Sequence, residues 1–129
     1  LGIDAMAIRY EQFHELVEGS RSSIKSLFMD QSKIAGMGNI YSDEVFFQAR
    51  IHPKRPCKQL EEEEIRLLYE KMNEVIDTAI EIQADPNRMP SHFLLPHRDP
   101  EDHCPVCGGS VQKISISSRS AYLCPQCQK

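Results

Sequence analysis

No apolar run in this 129-residue sequence approaches the roughly 20 residues that a membrane-spanning helix needs. Residues 1–20 also lack the basic start and apolar stretch of a secretory leader. These absences point to a soluble, cytoplasmic protein with no membrane partner. Cysteine is sparse at five residues, an odd number that disulfides within one chain cannot consume. Acid is absent from residues 103–129, which carry three bases. A chain of this length makes one compact domain or two very small units, and so short a tail cannot bury enough apolar surface to fold without a staple.

Four of the cysteines supply that staple. Cys104-Pro-Val-Cys107 and Cys124-Pro-Gln-Cys127 set two Cys-x-x-Cys pairs on either side of a sixteen-residue spacer, the spacing of a four-thiolate zinc site. Each pair can place two sulfurs about 2.3 Å from one ion, and Zn²⁺ with its filled d shell accepts the tetrahedron they define. A redox Cys-x-x-Cys needs only one pair, and a disulfide framework normally comes with a leader. An iron–sulfur cluster is the other metal reading. One structural zinc on Cys104, Cys107, Cys124 and Cys127 is therefore expected. Cys57 reads as a reduced, inert thiol and His103 as solvent-facing. Between the pairs, Val111–Ser117 and Ala121–Leu123 read as a β-hairpin with its tip at Ser117-Ser-Arg-Ser120. Arg119 sits where the chain projects farthest from the metal, as a nucleic-acid probe or as a solvated turn residue.

The net charge of −4 argues against a polyanionic partner until its distribution is read. Residues 20–59 carry seven bases and three acids, whereas residues 60–85 carry two bases and nine acids. Two basic segments thus flank an acidic one, and phosphate binding depends on the local face more than on the total.

Before residue 86 the apolar spacing is helical. Tyr10–Glu18 carries Phe13, Leu16 and Val17 on one face. A second helix with Ser22 or Ser23 as N-cap carries Ile24, Leu27 and Phe28 and ends at Asp30-Gln-Ser32. Asn39–Arg50 presents Tyr41, Val45, Phe46 and Ala49 inward and stops at Ile51-His-Pro53. Leu60–Gln83 is the longest helix, with Ile65, Leu68, Met72, Val75 or Ile76, and Ala79 as its buried stripe and its acids on the solvated face and first turn. Proline-rich Asp85–Asp102 reads as a linker.

In the turn Ile34-Ala-Gly-Met-Gly-Asn-Ile-Tyr41, Gly36 and Gly38 permit a positive φ or close backbone approach, and the following helix offers unpaired N–H groups to an anion. Asn39 either caps that helix or donates its amide to a phosphate oxygen. Lys25, one helix earlier, can reach the same anion, although alone it reads as a surface lysine.

Ile24-Lys-Ser-Leu-Phe-Met-Asp-Gln31, Ile34–Tyr41, Ser42-Asp-Glu44 and Ile51-His-Pro53, followed by the four-cysteine hairpin, closely resemble the C-terminal half of the formamidopyrimidine-DNA glycosylase and endonuclease-VIII-like family. The resemblance implies a mostly α fold. Residues 1–85 would form a helix-two-turn-helix DNA-binding bundle, 86–102 a linker and 103–129 a zinc-finger β-hairpin. It also implies a monomer that clamps damaged or abasic duplex DNA, on the nucleoid if the source is bacterial. Lys25, Gly38, Asn39, Tyr41 and Arg119 would contact the backbone beside the lesion, positioning the DNA without reading its sequence.

The family's chemistry comes from an N-terminal proline amine, which attacks the sugar C1′ and allows oxidised bases to be excised and the strand nicked. This sequence starts Leu1-Gly2. It is therefore expected to hold no catalytic residue and to depend on an N-terminal catalytic domain, with a stand-alone, non-catalytic DNA-binding module as the alternative. The sequence departs from the family pattern at Lys33, in the short segment Arg88–Asp102 and at the Ser117-Ser118 tip, where glycines are usual. No borohydride-trappable Schiff base with abasic DNA is expected from this chain alone. A covalent adduct on a denaturing gel would contradict that.

Overall fold

The mostly α bundle and the four-cysteine hairpin both form in the structure, a computed structural model that describes residues 1–99 and 101–129. The bundle helices are α1 (Tyr10–Gly19), α2 (Ile24–Met29), α3 (Asn39–Ala49) and α4 (Glu62–Glu81). Of the two candidate serines, Ser23 caps α2 by accepting from the Ser26 N–H at 3.2 Å. α4 starts where the Glu64 carboxylate turns back to accept from the Glu61 N–H at 2.9 Å.

Two very short strands, β1 (Ile3–Asp4) and β2 (Ile34–Ala35), pair in parallel and tie the start of the chain to the glycine turn. No alternating pattern predicts this pairing, since each strand has two residues. Gly2 permits it, because a Cβ there would lie 2.3 Å from the Lys33 carbonyl oxygen.

α3 is the middle layer, packed between α4 on one side and the hairpin on the other. Its sequence fits that place, for Ser42 through Phe47 and Ala49 are all buried, as expected of a helix whose central turns are covered on every side. Phe13, Phe28 and Phe46 form the aromatic centre of the core, with Phe28 edge-on to Phe46 at 4.9 Å between ring centroids. Ile65, Leu68, Met72 and Val75 of α4 close the core, as the heptad-like spacing predicts, while Ala79 is only partly buried. The outer face of α4 exposes Glu63, Glu70, Glu74, Asp77 and Glu81. Among the described residues, no helix is long and apolar enough to cross a membrane.

The segment after α4 makes two 3-10 turns, Pro86–Arg88 and Leu95–His97, and buries Phe93 and Leu94 between them. The hairpin strands are β3 (Gln112–Ile116) and β4 (Arg119–Leu123), joined by the two-residue loop Ser117-Ser118. Phe46→Ala is expected to cost about 3–5 kcal/mol in urea unfolding through the cavity it leaves. Ile80→Ala, at an exposed apolar site, should cost within about 0.5 kcal/mol.

Candidate nucleic-acid interface and zinc centre

The helices and the hairpin meet along one seam between α3 and β4. In the antiparallel register, Ile116 faces Arg119 across the loop, and β4 turns backbone groups of Ser120 and Tyr122 away from β3. Such edge groups need partners once covered. Asn39 Nδ2 donates to the Ser120 carbonyl at 3.0 Å, and the Tyr122 N–H donates to Asp43 Oδ2 at 3.1 Å. One step on, Phe47 packs with Cys124. The pairing works because four residues of helix advance about 6 Å and two residues of strand about 6.8 Å. Positions 39, 43 and 47 therefore keep pace with 120, 122 and 124.

Lys25 lies beneath this seam. It is fully buried rather than on the surface, and its Nζ donates to Asp43 Oδ1 at 2.6 Å and to the Asn39 carbonyl at 3.4 Å. Burial pushes the Lys25 ammonium down and the Asp43 carboxyl up, while their mutual attraction opposes both shifts. Arg119 is close enough for its charge to press further on the Lys25 ammonium. Asp43 is thus a shared acceptor, one oxygen on α2 and the other on the finger.

Asn39 does not cap α3. Gly38 takes the cap position with φ −83°, and Asn39 is already the first helical residue. Its side chain spans to the finger instead, leaving Oδ1 buried without a partner. Of the two turn glycines, Gly36 has the positive φ, +92°; Gly38 has extended backbone with open space where a Cβ would stand. Tyr41 points elsewhere, lining a groove of about 400 Å³ with Met6, Met37, Ile76 and Ile80. The structure therefore gathers Lys25, Asn39 and the Arg119 tip, and leaves Tyr41 on another face of α3.

The hairpin tip is held in place. Ser117 and Ser118 adopt φ of 50° and 67°, the left-handed pair that matches the twist of a two-residue hairpin, at a cost of about 1–2 kcal/mol for each side chain. Ser117 Oγ lies 3.0 Å from Ser26 Oγ of α2, and Arg119 beside it is exposed.

At the other end of the hairpin the four cysteine sulfurs lie within 4.8 Å of one another. Cys104 and Cys127 are 3.8 Å apart and Cys107 and Cys124 3.4 Å, close to the edge of about 3.8 Å that a tetrahedron with 2.3 Å zinc–sulfur bonds requires. The Gly109 N–H bonded to its sulfur draws the Cys107 thiol down to about 7, whereas burial pushes that of Cys127 up to about 12. His103 is exposed, as expected, and Cys57 is buried far from the cluster with burial raising its thiol. Buried Gln128 fastens the zinc end to the bundle, accepting from the Cys124 N–H at 2.8 Å and donating to the Ile51 carbonyl at 3.0 Å.

Glu44 plays a similar part for the preceding segment. Its carboxylate is buried and accepts from the Leu94 and Leu95 N–H groups at 2.9 and 2.8 Å and from Gln48 at 3.0 Å. Sequence reasoning assigned a role to neither Asp43 nor Glu44. The available signal was an acid pair directly before the apolar run Val45-Phe46-Phe47 inside one helix.

These features define a helix-two-turn-helix bundle that carries a zinc-stapled β-hairpin finger. Residues 1–91 match the Formamidopyrimidine-DNA glycosylase H2TH domain, and residues 102–129 match the zinc finger found in FPG and IleRS. The chain belongs to the formamidopyrimidine-DNA glycosylase family. It is 34% identical over 134 residues to the formamidopyrimidine-DNA glycosylase of Thermus thermophilus, covering 95% of this chain and 50% of that protein. With the enzyme of Solibacter usitatus it shares 33% over 139 residues, covering 100% and 53%. Among solved structures, the Lactococcus lactis Fpg bound to DNA with an abasic site superposes with a TM-score of 0.84 at 31% identity, covering 100% of this chain and 52% of that one. The same enzyme with FAPY-dG-containing DNA gives 0.82 at 30%, covering 100% and 51%. The chain spans about half the length of the relatives it matches.

The cofactor is one structural zinc, held by a closed four-thiolate shell. Chelation is expected to unfold residues 103–129 while sparing the bundle, because the finger has little core of its own. Loss of the finger amide signals with retention of those of α1 and α4 in an NMR spectrum would verify this, and an unchanged finger would refute it.

Proposed function

We propose that this chain is the DNA-binding half of a base-excision-repair DNA glycosylase and AP lyase that removes oxidised bases of the formamidopyrimidine or 8-oxoguanine type. The observation that carries the proposal is the convergence of Asn39, the start of α3 and the Arg119 tip on one face. Asn39 Nδ2 has a second N–H beyond its bond to Ser120, α3 opens with unpaired backbone N–H groups after Gly38, and Arg119 adds an exposed fork of donors. The complexes of the Lactococcus enzyme with abasic and FAPY-dG DNA, which superpose over the whole of this chain, support the same reading.

On this reading the interface contacts the phosphate backbone flanking a lesion and reads no bases. Lys25 acts from beneath, through its charge and its hold on the Asn39 carbonyl, and not by direct reach. Zinc performs no chemistry, since four thiolates leave no open position. The covalent step would come from an N-terminal catalytic domain whose amine attacks the abasic sugar, and the site on this chain would hold the DNA for it as a monomer. Work on chromosomal DNA would put the protein in the cytoplasm, at the nucleoid in a bacterium. Tyr41, turned away from the seam, is expected to matter less for DNA than Asn39 or Arg119.

Asn39→Ala with Arg119→Ala should raise Kd for an abasic-site duplex at least about tenfold. The slope of log K against log salt should flatten by about 1, because Arg119 alone of the two carries a charge that displaces a phosphate counterion, whereas the loss of neutral Asn39 lowers affinity without changing the slope. Fluorescence anisotropy over a salt series measures both. Unchanged affinity and slope would overturn the assignment.

A further inference from the structure

We infer that Asp43 is a positioning residue for DNA binding, setting the distance between the glycine turn and the Arg119 tip by holding α2 and the finger on one carboxylate. The inference rests on the proposed DNA-backbone role of Arg119.

Three observations carry it. The Tyr122 N–H points outward from the hairpin, and its partner is Asp43 Oδ2 at 3.1 Å. The other oxygen of the same carboxylate holds the enclosed Lys25 Nζ at 2.6 Å, and that ammonium also reaches the Asn39 carbonyl at 3.4 Å. Both side chains of this ion pair are almost wholly buried, at 0% and 2% exposure. A buried charge pair of this kind contributes little net stability over an apolar pair of similar volume, so stability alone does not account for it. What it does is directional. A carboxylate bound at both oxygens has one position relative to α2 and one relative to β4, which leaves the strand no freedom to slide along α3. Arg119 lies three residues from Tyr122 on the same short strand, so its reach follows from that register. Asn39–Ser120 and Ser26–Ser117 are the remaining polar ties at the tip end; the first is a single neutral bond and the second is exposed. Asp43 is thus the one charged tie between the bundle and the tip half of the finger among the described residues.

The test separates the acceptor role from the charge. Replacing Asp43 alone would strand a buried lysine and could unfold the chain, so both variants also carry Lys25→Met. Lys25→Met/Asp43→Asn removes both charges and keeps an oxygen that can accept from the Tyr122 N–H. Lys25→Met/Asp43→Leu removes both charges and that oxygen. Two measurements are made on the zinc-loaded chain.

The first is hydrogen exchange at the Tyr122 amide. It is expected to stay protected in the asparagine variant and to lose at least tenfold in protection in the leucine variant. Equal protection in both overturns the latch whatever becomes of the DNA reading.

The second is the effect of Arg119→Ala on Kd for an abasic duplex in each background. The expected result is a loss of fivefold or more with asparagine and less than twofold with leucine. Equal losses overturn the positioning role. If Arg119→Ala has no effect in the unaltered chain either, the proposed DNA-backbone function is what fails.

Discussion

The finger can serve the bundle only because a helix and a strand advance at nearly the same rate across their seam. α3 offers a side chain every fourth residue and β4 a backbone group every second, and over two steps the two rulers stay in contact. The placing of the Arg119 tip follows from that register. The zinc fixes one end of the hairpin and Gln128 fastens that end to Ile51, but neither says where the far end lies. Asn39, Asp43 and Phe47 say it, as a polar, a charged and an apolar contact in order along one helix face.

The two metal-distant carboxylates divide the labour. Asp43 joins the finger to α2, while Glu44, the next residue on α3, gathers the segment after α4 through two backbone N–H groups. Burial pushes both carboxyls up. Each charge is offset by several donors, and each fixes a piece of chain with little core of its own. Leu94, Phe47 and Cys124 then cover the joint with apolar surface. The zinc unit and the bundle are consequently not two beads on a string. Their shared layer is α3, which explains why that helix has no solvent stripe.

Much of this was legible in the sequence. The four helices follow from apolar spacing and caps, the hairpin from alternation between the cysteine pairs, and the zinc from cysteine spacing alone. What was not legible depends on tertiary geometry. The pairing of β1 with β2 involves two residues a side and leaves no pattern. Asn39 next to a helix start reads as a cap, and it takes a neighbouring strand edge with an unpaired carbonyl at Ser120 to draw its amide away. Lys25 reads as solvated because nothing in its neighbourhood in sequence reveals Asp43 eighteen residues on. Spacing along the chain carries the helices, the hairpin and the metal ligands, whereas the partners of single polar side chains are set by how the elements pack.

The acids on α4 have a consequence of their own. They occupy the flank of the bundle opposite the finger, with α3 between them, so the molecule is electrically lopsided although its total charge is modestly negative. A polyanion meeting this surface from the wrong side is repelled before contact, and one meeting the finger side is drawn in. The charge separation therefore acts on the encounter and not on the complex. On the proposed DNA-binding reading it would turn the finger side toward the duplex during approach and shorten the search for a productive orientation, at no cost in contacts once bound.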